Sequence, residues 1–357
     1  MPYKERVKKF QKYLQDEKID LFLIEEPINL LYFTGLHFSV GKLYIHEKGA
    51  DLFIDGRYFQ VAKEKSPFPV HLFHKEGDDS AFVLSFAGER KKHLGFDNAY
   101  MHVAAYEKWL SWTGKNFHVV GKNKPVANLR GCKEEMELTH IRKSADINWR
   151  AFLYISSLIE VGVTEEFLAW RYEVFCREHG ASKVSFDPII AFGENSALPH
   201  YQSGKNRLKK DSIVLIDIGC VVENYCSDMT RCIFFGKKDP LLEKIYKIVR
   251  NAQKKAMEAV RPGITNREID RIAREEITKE GFGDQFVHGL GHGVGLEIHE
   301  FPSIKSTVDE VILQKGMVIT IEPGIYIPGH GGIRYEDTII VTENGSENLY
   351  PREAPLV

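Results

Sequence analysis

The chain has 357 residues, of which 43% are hydrophobic and 27% are charged, and its formal net charge is −2. This composition is ordinary for a globular protein, and the length is sufficient for two domains with substantial cores. The small net charge gives no reason to expect nucleic acid or an anionic membrane as a partner, and no apolar run approaches the roughly 20 residues that a transmembrane helix needs.

The first residues and the cysteines indicate a cytoplasmic protein. The opening segment, MPYKERVKKF, lacks the apolar core of a signal peptide. The five cysteines are an odd number and form no C-x-x-C pair, which is typical of reduced thiols. Zinc bound by Cys220, Cys226 and Cys232 is disfavoured, because their spacing matches no structural zinc pattern.

The N-terminal part alternates helix and strand patterns. Val7, Phe10 and Leu14 share one face of a predicted helix, and another helix is predicted from Met101 to Trp112. Short apolar runs between glycines and charged turns predict strands at 19–24, 42–46, 50–55 and 94–97. These elements predict a small α/β domain over residues 1–125, with a polar, Gly- and Pro-bearing link at 121–131.

The second predicted domain, residues 126–357, begins with a long helical pattern that continues toward Ile159. After it, the sequence repeats at a spacing of about 100 residues. VGVTEEF at 161–167 resembles PGITNRE at 262–268, and both of the helices that follow end at a glycine, Gly180 and Gly281. The helical part of the domain is therefore predicted to be duplicated.

The strand patterns of the second domain repeat in the same way. IVLIDIG at 213–219 resembles VITIEPG at 318–324, and DMT at 228–230 resembles EDT at 336–338. Each half is thus predicted to contain two helices followed by a strand hairpin that bears two carboxylates. The four carboxylates belong to Asp217, Asp228, Glu322 and Glu336. Two of them end strongly apolar strands, where an unpaired carboxylate is costly, so we expect a cation nearby.

The segment HGLGHGVGLEIHE, residues 288–300, adds three histidines: His288, His292 and His299. Its four alternating glycines predict an extended segment that a ligand or another backbone approaches closely. Neither G-x-G-x-x-G nor G-x-x-x-x-G-K-[ST] fits it, which argues against a phosphate-binding loop. A bent core strand with incidental histidines is the alternative, but three histidines beside these glycines favour metal or proton chemistry.

The four carboxylates and His292 together make an oxygen-rich donor set with one imidazole. Such a set suits Mn²⁺, with Co²⁺, Fe²⁺ or Zn²⁺ as alternatives. Five protein ligands are too many for one catalytic ion with an open position, and they match two ions about 3.5 Å apart that share bridging carboxylates. Ordinary salt-bridged acids would explain any one of these residues, but poorly explain four acids placed by the same repeat.

These motifs resemble those of a known family. IDIG, SDMTR, GLGHGVGLEIHE, EPGIYIPG and IRYEDT, which contain the five predicted ligands, resemble the metal-ligand motifs of the "pita-bread" metallopeptidases, family M24. The resemblance covers roughly residues 130–357, and the smaller front domain resembles the creatinase-type N-terminal domain. It implies an α/β (α+β) fold with a pita-bread catalytic domain that contains a pseudo-twofold duplication. It also implies a homodimer.

The resemblance further implies a role for each matching residue. Asp217 would chelate one ion, Asp228 and Glu336 would bridge both ions, and His292 and Glu322 would complete the other. Glu322 would also accept the proton of the attacking water.

Other matching positions are those that the family places around the substrate. His200, His288 and His299 match its substrate-side histidines, and His200 and His299 would face the scissile carbonyl. Arg334 matches an arginine that supports the metal ligands. Tyr326 matches a tyrosine near the metal site, where we expect it to help bind the substrate.

Within the family, creatinase lacks the metal ligands, and methionine aminopeptidases lack both the front domain and the segment EPGIYIPGHGGIR. The sequence therefore predicts an Xaa-Pro aminopeptidase acting on peptides with proline in second position. The alternative is an Xaa-Pro dipeptidase (prolidase), which must also bind the carboxylate of the C-terminal proline and for which the sequence shows no unmistakable device. A non-catalytic peptide-binding module is disfavoured because the ligand set is intact.

Overall fold

A computed structural model describes residues 2–75 and 77–350. The chain divides after Arg130 into two compact units. The boundary predicted between residues 125 and 126 lies shortly before this division. Among the helices described, none is both long and apolar enough to cross a membrane.

The N-terminal unit is built on a six-stranded sheet. Its strands are β1 (Leu21–Ile24), β2 (Lys42–His46), β3 (Gly49–Ile54), β4 (Val70–Leu72), β5 (Lys92–Asp97) and β6 (Phe117–Lys122), in the order β4-β3-β2-β1-β5-β6. Its helices are α1 (Pro2–Asp16), α2 (Pro27–Thr34), α3 (Phe59–Lys65), α4 (Ser80–Leu84), α5 (Val103–Thr113) and α6 (Ala127–Gly131). The strands and both helices predicted for this unit are present. Val7, Phe10 and Leu14 are the buried apolar residues of α1, as predicted.

One segment of this unit differs from the prediction. Residues 121–131 were predicted to be a polar link, but β6 extends to Lys122 and α6 covers Ala127–Gly131. β6 pairs in parallel with β5 at the edge of the sheet, and only its first residue, Phe117, is fully buried. An edge strand with so little buried surface has a weak hydrophobic pattern, which is why the sequence did not reveal it.

Up to residue 350, the C-terminal unit has four α-helices: α7 (Glu135–Ser156), α8 (Glu165–Glu178), α9 (Pro240–Ala259) and α10 (Asn266–Lys279). Its strands are β7 (Lys183–Val184), β8 (Ile189–Phe192), β9 (Ser212–Ile218), β10 (Cys220–Val222), β11 (Tyr225–Cys226), β12 (Met229–Phe235), β13 (Gly291–Gly293), β14 (Glu300–Ile304), β15 (Val318–Ile321), β16 (Gly324–Ile327), β17 (Gly331–Arg334), β18 (Glu336–Val341) and β19 (Ser346–Asn348). The main sheet has the order β14-β13-β15-β18-β12-β9-β8, with β19 added to β18.

The main sheet confirms the internal duplication. β12 and β18 lie side by side at its centre, β9 and β15 flank them, and β8 and β13 lie outside those. The helices repeat as well: α8 and α10 begin at a threonine cap and are followed by Gly180 and Gly281, with φ of 104° and 85°. Only glycine adopts such angles without strain. The two halves thus place equivalent strand ends around one point of the sheet.

Candidate functional site

The predicted metal ligands line one cavity of about 430 Å³ in the C-terminal unit. They come from neighbouring strands: Asp217 from β9, Asp228 from just before β12, His292 from β13, Glu322 from just after β15 and Glu336 from the start of β18. The register explains their convergence. Thr230 pairs with Asp217 on one side and with Glu336 on the other, so residues more than a hundred positions apart in the sequence become neighbours.

The glycines of β13 are needed because other backbones approach this strand closely. A Cβ atom on Gly291 would clash with the carbonyl oxygen of Thr320, and one on Gly293 would clash with that of Phe301. The predicted close approach is therefore to neighbouring backbone. It lets the short strand β13 fit between β14 and β15, where it presents His292 to the cavity.

The surroundings of His292 fix the state of its ring. Nδ1 lies 3.1 Å from the carbonyl oxygen of Gly293, which can only accept, so Nδ1 carries the proton. Burial, and next the neighbouring His299, lower the pKa of His292 to about 3. The lone pair of Nε2 therefore faces carboxylate oxygens of Asp228 at 3.6 Å and Glu322 at 3.4 Å. While both carboxylates are ionised, these three acceptors repel one another, and a cation between them would remove the repulsion.

Asp217 pairs with Arg334, but the other three carboxylates have no lysine or arginine partner among the described residues. Donor atoms of Asp228, His292 and Glu336 all lie within 4.8 Å of one another. Burial, reinforced by neighbouring acids, raises the pKa of Asp228 and Glu336 well above the usual range, and burial raises that of Glu322 to about 8. Oδ1 of Asp217 and Oδ1 of Asp228 are buried without a hydrogen-bond partner among the described residues. These donors fit divalent ions, which would satisfy both the orphaned oxygens and the clustered charge.

Two threonine hydroxyls that the sequence analysis did not single out hold the ligands. Thr230 Oγ1 donates to Glu336 over 2.7 Å and accepts from Nε of Arg334 over 3.2 Å. Thr320 Oγ1 donates to Glu322 over 3.3 Å. Each threonine stands two residues from a predicted ligand along the chain, and therefore on the same face of a strand. That spacing was the signal that could have identified them.

Arg334 organises one side of the cavity. Its Nη2 donates to Asp217 over 2.5 Å and its Nη1 donates to the hydroxyl of Tyr326 over 2.9 Å. That hydroxyl lies 2.9 Å from Nε2 of His288, whose Nδ1 lies 2.7 Å from the carbonyl oxygen of Gly289. Because this carbonyl can only accept, Nδ1 of His288 is protonated and Nε2 accepts from Tyr326. Burial lowers the pKa of His288 to about 4, in keeping with a neutral ring.

Tyr326 therefore lies where the sequence analysis did not expect it. It was expected beside the substrate, but its side chain is buried behind Arg334 and His288, and it is not among the residues that line the cavity. Burial raises its pKa to about 12, so the hydroxyl keeps its proton. In this position, Tyr326 links the arginine to the histidine.

The three predicted substrate-side histidines all reach the cavity wall. His200, His288 and His299 are among its lining residues. The ring centroid of His299 lies 4.1 Å from that of His292, and burial lowers its pKa, which favours a neutral ring that can donate one hydrogen bond. That His200 and His299 face a scissile carbonyl stays a prediction.

Further charged residues that the sequence analysis missed lie in or near the wall. Asp187 and Lys305 line the cavity, and neither belongs to a recognisable motif. Glu300, next to His299, forms a buried ion pair of 2.8 Å with Lys133. Pairings between such distant residues leave no local pattern, so nothing in the sequence alone could have identified them.

Comparisons with known proteins agree with this architecture. Residues 139–343 match the family model of metallopeptidase family M24, and residues 6–131 match that of the Creatinase/Prolidase N-terminal domain. The Xaa-Pro dipeptidase of Pyrococcus furiosus is 39% identical over 356 residues, which cover 99% of this chain and 100% of that protein.

Solved structures extend the likeness to three dimensions. The structure of Xaa-Pro dipeptidase from Bacillus anthracis has a TM-score of 0.93 at 33% identity and covers 99% of each chain. That of X-Pro aminopeptidase from Thermotoga maritima has a TM-score of 0.87 at 31% identity, over 98% of this chain and 99% of the other. These matches confirm the predicted resemblance and fold, and the family implies divalent metal ions. The chain belongs to metallopeptidase family M24 and is a metallo-exopeptidase.

Proposed function

We propose that this protein is an Xaa-Pro dipeptidase, which hydrolyses the bond between an N-terminal residue and a C-terminal proline. The observation that carries the proposal is the 39% identity, over essentially the full length of both chains, to a protein named Xaa-Pro dipeptidase. The sequence motifs favoured the aminopeptidase, because they contain no unmistakable device for recognising a short substrate. The comparisons favour its alternative.

The dimensions of the cavity support a small substrate. Its volume of about 430 Å³ is near the lower end of the range of roughly 300–1,000 Å³ found for small-molecule sites. A dipeptide fits such a space more readily than an extended peptide does.

We assign the metal site to two divalent ions, with Mn²⁺ preferred, held by Asp217, Asp228, His292, Glu322 and Glu336. When bound, such ions would lower the pKa of the attacking water and polarise the scissile carbonyl. This assignment is supported by the orphaned oxygens of Asp217 and Asp228 and by the unprotonated Nε2 of His292.

The remaining steps belong to side chains of the protein. Glu322 accepts a proton from the attacking water at its carboxylate and passes it to the proline nitrogen as the C–N bond breaks. His200 and His299 donate hydrogen bonds to the oxygen that becomes negatively charged. Arg334 fixes Asp217 and, through Tyr326, the ring of His288.

Preference for proline follows from its missing N–H. A secondary amide at the same place would bring a donor into the buried site, and leaving that donor unpaired costs about 1–3 kcal/mol. Since about 1.4 kcal/mol corresponds to a factor of ten, we expect Xaa-Pro to be cleaved at least about tenfold better than Xaa-Ala.

Steady-state kinetics of the Mn²⁺-loaded enzyme on Ala-Pro, Ala-Pro-Ala and Ala-Ala tests the proposal. A dipeptidase cleaves Ala-Pro with a kcat/KM at least about tenfold above that for Ala-Pro-Ala. Ala-Ala serves as the control for proline preference. Higher kcat/KM for Ala-Pro-Ala would contradict the dipeptidase assignment.

A higher kcat/KM for Ala-Pro-Ala than for Ala-Pro would favour an Xaa-Pro aminopeptidase. The similarity to the X-Pro aminopeptidase structure, with a TM-score of 0.87 at 31% identity, supports it as the second candidate. Equal rates for Ala-Pro and Ala-Ala would instead remove the case for proline specificity.

We further propose that the enzyme is a cytoplasmic homodimer. The composition supports the location and the family resemblance supports the assembly. Cell fractionation tests the first, and size-exclusion chromatography with light scattering tests the second.

A further inference from the structure

The cavity wall carries a lysine, Lys305, to which the proposed chemistry gives no role. Lys305 directly follows β14 and is one of the residues that line the cavity, together with Ser303. It makes no hydrogen bond or ion pair with any residue of 2–75 or 77–350. Its ammonium group is therefore available to bind an anionic group that enters the cavity.

The strand register brings this lysine close to the predicted metal ligands. Ser303 on β14 pairs with His292 on β13. Lys305 lies two residues further along, and side chains two residues apart on a strand project from the same face. Lys305 therefore extends the row of side chains that begins opposite His292.

A glycine makes room for the stem of Lys305. A Cβ atom added to Gly289 would lie 3.2 Å from Cβ and 3.4 Å from Cδ of Lys305. The alkyl stem thus packs over the bare backbone next to His288. Lysine stems commonly lie along such surfaces while the charged end stays free to bind a ligand.

The other lysine or arginine side chain of the described wall is already engaged. The four predicted carboxylate ligands face the metal site, and Arg334 pairs with Asp217 over 2.5 Å. Both ring nitrogens of His288 are occupied, Nδ1 by the carbonyl oxygen of Gly289 and Nε2 by the hydroxyl of Tyr326. Lys305 is therefore the cation of the described lining that remains available to an anionic group of the substrate.

The proposed substrate has such a group. In an Xaa-Pro dipeptide the carboxylate carbon is three bonds from the scissile carbonyl carbon, so the carboxylate must enter the same cavity. The charge of the proposed metal ions would be balanced by the four acidic side chains, so a substrate carboxylate buried in the same cavity needs a cationic partner of its own. A longer peptide has an amide at this point and gains nothing from a cation.

We propose that Lys305 binds the C-terminal carboxylate of the Xaa-Pro substrate and so selects dipeptides over longer peptides. This inference rests on the proposed dipeptidase function and supplies the recognition device that the sequence did not reveal. Lys305 acts on specificity and takes no part in the bond cleavage.

The test compares Ala-Pro with its amide, Ala-Pro-NH₂, which lacks only the negative charge. The enzymes are the wild type, Lys305→Gln, Lys305→Arg and, as a matched control, Lys209→Gln, which replaces an exposed lysine outside the cavity lining. For Lys305→Gln we expect KM for Ala-Pro to rise about tenfold, as for the loss of one charged contact, with kcat little changed. Kinetics with Ala-Pro-NH₂ should stay unchanged, and Lys305→Arg should retain most of the preference for Ala-Pro.

Salt provides a second readout. KM for Ala-Pro should rise with ionic strength in the wild type and respond much less in Lys305→Gln, because screening acts on the charged contact. If Lys305 had only a structural role, its replacement would change KM for Ala-Pro and for Ala-Pro-NH₂ by the same factor.

The outcomes separate the two proposals. If the wild type prefers Ala-Pro and Lys305→Gln keeps that preference, the role of Lys305 is overturned while the dipeptidase function stands. The role of Lys305 is also overturned if Lys305→Gln loses kcat/KM equally on Ala-Pro and on Ala-Pro-NH₂. If the wild type itself prefers Ala-Pro-NH₂ or Ala-Pro-Ala, both proposals are wrong.

Discussion

The hydroxyl of Thr230 should control metal affinity, although it is not a predicted ligand. It donates to Glu336 over 2.7 Å and accepts from Arg334 over 3.2 Å, and the side chain is 0% exposed. Thr230→Val keeps nearly the same shape and removes only the hydroxyl. The Glu336 carboxylate and the Arg334 guanidinium would then each lose a buried hydrogen-bond partner.

The size of the effect follows from these two contacts. A hydrogen bond to a charged group contributes about 1.5–3 kcal/mol. Of the two hydrogen bonds, only the one that orients Glu336 affects metal binding. Removing groups that orient metal ligands typically lowers metal affinity about 10–100-fold. We therefore expect Mn²⁺ binding to weaken by that factor in Thr230→Val.

Isothermal titration of Mn²⁺ into the metal-free protein measures this directly. Thr230→Ser is the matched control, since it retains the hydroxyl and should bind nearly as tightly as the wild type. Affinity of Thr230→Val within about twofold of the wild type would refute the reasoning, because the expected minimum is about tenfold. Equal weakening in both variants would assign the effect to packing.

Three further expectations concern the site and its support. Asp228→Ala or Glu336→Ala should nearly abolish both activity and Mn²⁺ content, since we propose that each side chain would hold both ions; elemental analysis showing full occupancy would exclude that role. His299→Ala should keep its metal but lower kcat about 10²–10³-fold, as for loss of one oxyanion donor, whereas metal loss would make it a ligand. Arg231→Met should destabilise the C-terminal unit by about 3–5 kcal/mol because it strands a buried carboxylate; hydrogen exchange of β12 and β18 measures this. The exposed Lys255→Met should cost at most about 1 kcal/mol.

Local patterns made much of this protein predictable. The helix caps, the glycines after α8 and α10 and the apolar strands of the C-terminal unit depend on residues within a few positions of one another. The repeat then related the two halves without any knowledge of the sheet. β6 escaped prediction for the opposite reason: its strand identity comes from pairing with β5 and hardly from its own burial.

The sequence by itself determined which residue types could hold metal, since Asp217, Asp228, His292, Glu322 and Glu336 stand in short motifs whose chemistry is local. Only the tertiary structure decided how they are held and what surrounds them. The pairing of Arg334 with Asp217, the position of Tyr326 behind the cavity and the placement of Lys305 in its wall all depend on contacts across the cavity or between strands. The register of two strands is set by side chains packing throughout the sheet, so no short stretch of sequence contains it.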